Sequence, residues 1–142
     1  WDSLGEFLAL AEALRHVAGV DGNARAAVLA EALDAATTSL LENNRSPERR
    51  LGGIDNRGSH AWLALYWARE LAAQTADADL AERFAPVAGA LGAANEEIQA
   101  ELVAVQGHPV DIGGYYVPDA ALTDAVMRPC ARLNKIVDAL RA

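Results

Sequence analysis

Apolar residues recur at intervals of three and four along most of the chain, the period of helices that bury one face. Leu4, Phe7, Leu8, Ala11 and Leu14 form the first stripe. Ser3 reads as its N-cap, with Glu6 three residues on to complete a capping box. Gly19 and then Asp21-Gly22 end the helix. A second helix is predicted from near Asn23 to about Glu42, burying Val28, Leu29, Ala32, Leu33, Ala36 and Leu40 and stopped by Asn43-Asn44. Ser46-Pro47 resembles a short cap with proline at the first helical position, and Gly52-Gly53 breaks any helix begun there.

From Ser59, the expected N-cap, to about Thr75 the pattern changes. Trp62, Leu63, Leu65, Tyr66, Trp67 and Leu71 occupy more than one face, which marks a buried, central helix. Asp77 or Asp79 caps a fourth helix carrying Leu80, Phe84 and Val87, which Pro86 is expected to kink or divide. Asn95, Glu96 and Glu97 open a fifth, through Ile98, Leu102 and Val105 to Gly107, with acids complementing the dipole of its first turn. PVDIGGYYVP, Pro109 to Pro118, lacks helical character: Val110 and Ile112 alternate as in a short strand, and Gly113-Gly114 demands a turn. Asp119 caps a sixth helix to Arg128. After Pro129 a last helix carries Leu133, Ile136, Val137 and Leu140. The fold class expected is all-α, six or seven helices with one short extended segment, and residues 1–142 read as a single region.

Composition supports this. Thirty-two of the 142 residues are alanine, which loses no side-chain entropy in a helix. No apolar run approaches the ~18 residues of a membrane span, and no charged-then-apolar leader opens the chain. The net charge of −8 and the sequence pI near 4.7 argue against general affinity for nucleic acid or an anionic membrane. A single cysteine, Cys130, excludes an internal disulfide framework and favours a reducing compartment. His16, His60 and His108 are widely separated, and no Cys or His pair has metal-ligand spacing. The chain opens on Trp1 rather than methionine, so an excised or processed piece is expected.

Against that acidic background, Arg45, Arg49, Arg50 and Arg57 fall within thirteen positions. A guanidinium pairs with phosphate or carboxylate through a planar fork, so one reading is an anion site. The other is surface ion pairing with Glu48, Asp55 and neighbouring acids, each pair worth at most about 1 kcal/mol. DNRGSH, Asp55 to His60, holds the residue types of a catalytic triad, but Ser59 and His60, adjacent at a helix start, need not face each other. Trp62, Tyr66 and Trp67 read as core. Tyr115-Tyr116 either touch a ligand or pack a turn. A GxGxxG fingerprint is absent, which argues against an ordinary Rossmann nucleotide site.

Four blocks carry a resemblance: WDSLGEFLALA, ALDAATTSLLENNRSPERR, GGIDNRGSHAWLALYWARELAAQTADADLAERFAPVA and VQGHPVDIGGYYVPDAALTDAVMRP. In this order they resemble the carboxy-terminal part of the monomeric NADP-dependent isocitrate dehydrogenases, over essentially Trp1 to Ala142. The resemblance implies a bacterial cytoplasmic enzyme that converts isocitrate and NADP to 2-oxoglutarate, CO2 and NADPH with Mg2+ or Mn2+. It implies that this region belongs to the coenzyme-side large domain of a larger α/β fold. Two positions carry over: Asp2 matches a coenzyme-contacting aspartate, and Arg49 an arginine on the coenzyme 2′-phosphate, with Arg50 beside it.

The family's other 2′-phosphate contacts, the isocitrate-binding residues and the metal ligands fall outside this chain. Alone it is therefore expected to be inactive, to bind NADPH poorly and to self-associate through apolar surface that the rest of the same polypeptide would cover. The alternative is a stand-alone, non-catalytic helical interaction module descended from the enzyme.

Overall fold

A computed structural model describes residues 3–141. Six α-helices follow one another: α1 Leu4–Asp21, α2 Ala24–Glu42, α3 Asn56–Ala73, α4 Ala78–Ala104, α5 Ala120–Met127 and α6 Ala131–Asp138, with a 3₁₀ turn at Ala139–Arg141. No strand occurs among the described residues, so Val110–Ile112 is irregular chain, not the short strand its alternation suggests.

The apolar stripes dictate the layering. Ala61, Leu65 and Ala68 on α3 meet Val87, Leu91, Ala94, Ile98 and Leu102 on α4 in one core. Leu63, on another side of α3, joins Phe7, Ala11, Leu33, Ala36 and Leu40 from α1 and α2 in a second. As its all-round apolar character predicts, α3 is the middle layer, with α2 on one side and α4 on the other. Alanines at the α3–α4 contact let the two backbones approach closely. Trp62, Tyr66 and Trp67 pack at the core margins, and the Trp67 indole N–H donates to the Leu29 carbonyl at 3.1 Å. Ion pairs tie the layers at their surface: Arg15 of α1 to Glu31 and Asp34 of α2, and Arg25 of α2 to Asp77 and Asp79 at the head of α4.

Local signals place most helix ends. Asn23, Asp77 and Asp119 each accept the N–H three residues on, satisfying one of the free donors of a first turn. Gly22 ends α1 in the left-handed conformation, φ 65°, which glycine adopts at no steric expense.

Five further expectations are corrected. The predicted fourth and fifth helices are one, the 27-residue α4 with Pro86 inside it. Val87, Leu91, Ala94, Ile98 and Leu102 continue a single buried stripe past the proline, whose ring lies on the exposed face. Burying that stripe offsets the ~3 kcal/mol that an interior proline costs. Ser3 makes no cap; its hydroxyl donates instead to Asn56 Oδ1 at 3.2 Å. Ser59 is a buried residue within α3, whose N-cap is Asp55. Ser46-Pro47 starts no helix. Leu8 is exposed, while Phe7 and Ala11 form the buried part of its stripe.

Candidate functional site

The loop joining α2 to α3 carries the arginines, and its own hydrogen bonds hold its shape. Asn44 turns the chain out of α2 at φ 54°, and the Arg45 N–H bonds the Leu40 carbonyl at 2.9 Å. The Glu48 N–H reaches the Ile54 carbonyl at 2.7 Å, closing the loop on itself. Gln106, just beyond α4, clips it from the other side: its Oε1 accepts from the Gly52 N–H at 3.0 Å and its Nε2 donates to the Gly53 carbonyl at 3.1 Å.

Each arginine of the cluster meets a different fate. Arg45 lies over the Trp62 ring, 4.3 Å from its centroid, a cation–π contact. Arg50 pairs with Glu48 at 2.6 Å. Arg57 pairs with Asp55 through Nε and Nη2, at 3.0 and 2.6 Å, and donates from Nη1 to the Val126 carbonyl at 2.8 Å. Arg49 is exposed, and among the described residues it has no ion pair.

Asp55 organises this end of α3. One oxygen caps the helix by accepting the Gly58 N–H at 3.0 Å, while the other holds Arg57. Burial would push its carboxyl up, but the Arg57 guanidinium and the Gly58 N–H outweigh it and hold Asp55 below its ordinary value. Glu48 is lowered too, chiefly by its bond from Arg50. A carboxylate depressed in the folded state stabilises the fold above its unfolded pKa, and that contribution disappears as pH falls through the lower folded value. Melting temperature is therefore expected to hold steady above about pH 5 and to fall below about pH 4. Asp55→Asn, scanned calorimetrically across the same range, is expected to show the shallower fall. Identical acid profiles would remove Asp55 from the account.

Beside the loop runs a groove of about 530 Å³ whose walls include Arg49, Arg50, Arg57, His108, Gln106 and Met127. Its two carboxylates, Glu48 and Asp55, are already engaged by Arg50 and Arg57, which leaves the Arg49 guanidinium as its unpaired arginine. A second cavity of about 380 Å³ adjoins it, lined among others by Ser3, His60, Cys130 and Asn134, and shares Asn56, Arg57 and Met127 with the groove.

No triad forms in DNRGSH. Ser59 is buried, while His60 donates from Nδ1 to the Asn56 carbonyl at 2.6 Å and stands edge-on to Phe7. Cys130 is structural: its Sγ accepts the Leu133 N–H at 3.4 Å at the head of α6, and burial pushes its thiol up. His16 is exposed, as is His108 on the groove wall. Tyr115 and Tyr116 are exposed and do not pack the turn. Asp2 lies outside the described residues. Sequence reasoning missed Gln106 and the dual role of Asp55; the only local signal for the latter was an Asp three residues before Gly58, whose N–H it caps.

By architecture the chain is an all-helical stack with a cation-lined groove at the head of its central helix, and no described helix is long and apolar enough to cross a membrane. Comparison with known proteins makes the assignment specific. The family model for monomeric isocitrate dehydrogenase matches residues 1–138, and the chain belongs to that family. It is 59% identical over 141 residues to an NADP isocitrate dehydrogenase of Corynebacterium efficiens, covering 99% of this chain and 19% of that protein. Relatives of the same description from Colwellia maris and Mycobacterium tuberculosis are 55% and 52% identical, over 140 and 141 residues, with the same 99% and 19% coverage. The chain thus spans about a fifth of the length of these relatives.

Proposed function

We propose that this chain forms one wall of the coenzyme site of an NADP-dependent isocitrate dehydrogenase, at the adenosine 2′-phosphate end. In this reading it is the C-terminal part of the coenzyme-side domain, and the rest of the polypeptide brings isocitrate and the catalytic groups to the opposite wall.

The observation that carries the reading is the unpaired Arg49 guanidinium on a groove whose other arginines are committed. A 2′-phosphate is a dianion with several acceptor oxygens, and a free arginine fork matches it. The same observation favours Arg49 over its neighbour Arg50, which Glu48 already occupies. The Gln106 clip and the Glu48–Ile54 bond hold the loop in place before ligand arrives, so little ordering remains to oppose binding. Arg57 takes no part in ligation in this scheme; it ties the head of α3 to the end of α5 and so sets the far wall of the groove. Asp2, the second proposed contact, lies outside the described residues.

When bound, NADP supplies the hydride acceptor for oxidation of a 2-hydroxy acid. Among the described residues no group of three or more His, Cys, Asp or Glu could hold the Mg2+ or Mn2+ that the family resemblance implies. No step of metal chemistry is assigned to this chain.

The test is Arg49→Ala in the full-length polypeptide. Each charge-assisted bond contributes about 1.5–3 kcal/mol, so kcat/KM for NADP is expected to fall ~10-fold to ~100-fold, with the NAD reaction unchanged. An undiminished preference for NADP over NAD would overturn the phosphate role.

A further inference from the structure

The segment from Gly107 to Met127 stands apart from both cores. No residue of α5 is buried, and no other helix packs extensively against it. Most of its large apolar side chains face water instead, with Ile112 and Val126 half-buried. Tyr115, Tyr116 and Val117 are 87%, 93% and 86% exposed, and Val110, Leu122 and Met127 are exposed as well. The three consecutive residues are the most exposed large apolar side chains among those described.

Yet the loop that presents them has a closed, defined shape. The Gly113 N–H donates to Asp111 Oδ1 at 2.8 Å, and the Asp119 N–H donates to the Ile112 carbonyl at 2.7 Å. Gly113 and Gly114 turn the chain at φ 78° and 142°, conformations that side-chain-bearing residues avoid. At the tip the two tyrosine rings meet edge to face, centroids 5.3 Å apart. A loop built to hold bulky apolar groups in water marks a surface that something else covers.

We propose that what covers it is the remainder of the same polypeptide, docked through an apolar surface of its own. The family's proteins are about five times as long as this chain, which makes up 19% of their length, so ample chain exists to do it. The chemistry of the patch also selects an apolar partner: Pro109–Pro118 contains one charged residue, Asp111, and that carboxylate is used inside the loop. The docking has a consequence for the groove. His108 and Val110, where the loop begins, are part of its wall, so chain seated on this loop lies next to the groove. The inference rests on the length of the family's proteins and not on the phosphate role of Arg49.

Hydroxyl-radical footprinting of the full-length polypeptide tests it, with the free peptide of residues 109–118 as reference. Without coenzyme and at high dilution, Tyr115 and Tyr116 are expected to oxidise at least ~10-fold more slowly than in the peptide, since burial shields side chains as it shields amides. Oxidation at the peptide's rate would overturn the proposal. Protection that grows with protein concentration would assign the patch to a second copy, and protection that requires added NADP would assign it to the coenzyme; either overturns it. Arg49→Ala is expected to leave the footprint unchanged, so the loss of phosphate selectivity and the loss of docking can be told apart.

Discussion

Leu65→Ala is expected to lower the stability of the chain by about 3–4 kcal/mol, in the upper part of the range for a buried leucine. Leu65 is 1% exposed on the face of α3 turned toward α4. Its neighbours along that face, Ala61 and Ala68, have no side-chain length with which to fill a void. The backbone cannot close it either, because α3 is held between α2 and α4. The cavity therefore persists, and its lining loses contacts as well as transfer energy. Thermal unfolding followed by circular dichroism should register a fall of roughly 10 °C at this chain length. Leu65→Met, which nearly conserves volume, is expected to cost under about 1.5 kcal/mol. A loss for the alanine variant as small as that would mean the layers can collapse onto each other, contrary to the packing described.

The second large effect is expected at Asp55. Asp55→Ala removes the N-cap of α3 and strips Arg57, whose side chain is only 17% exposed, of its carboxylate. Loss of a cap costs about 1 kcal/mol, and a half-buried guanidinium left unpaired adds a desolvation term of similar or larger size. The sum is about 2–3 kcal/mol. Asp55→Asn retains an oxygen for the Gly58 N–H and should lose roughly half as much. The double variant Asp55→Ala with Arg57→Met is expected to be more stable than the two single losses added together, because it leaves no orphaned charge. Denaturant unfolding of the four chains measures this coupling directly; strict additivity would show that the pair is incidental.

Asp55 also shows where sequence reading reached its limit. Asp77 and Asp119 were legible as caps because each serves the N–H three residues on, a contact within one turn. Ser59 had equal local credentials, but the N–H groups it would have capped belong to a helix that Asp55 had already begun. Ser3 likewise turned to Asn56, a partner 53 positions away that no local rule can supply. Pro86 and the Asn95-Glu96-Glu97 run looked like a helix end and a helix start. The continuous stripe from Val87 to Leu102 overrode both because α3 lies against its whole length.

The arginine cluster divides in the same way. Its existence, its position after a helix and its proximity to Glu48 and Asp55 are written in the sequence. The allocation of partners is not, since a pair two residues apart in a loop depends on how the loop turns, and that turn is held by Gln106 from the end of another helix.

What the sequence determined by itself was the helical class, the central place of α3 and the caps Asp77 and Asp119, because these depend on periodicity, composition and local hydrogen bonding; the family followed from the resemblance of whole blocks of residues. Tertiary structure alone decided that α4 runs unbroken, that Ser59 is buried within α3 instead of capping it, that Arg49 is the groove arginine left without an acid, and that the tyrosine tip stands in water. Each of those outcomes depends on which distant surface comes to lie alongside, and burial against that surface outweighs the preference of any single residue.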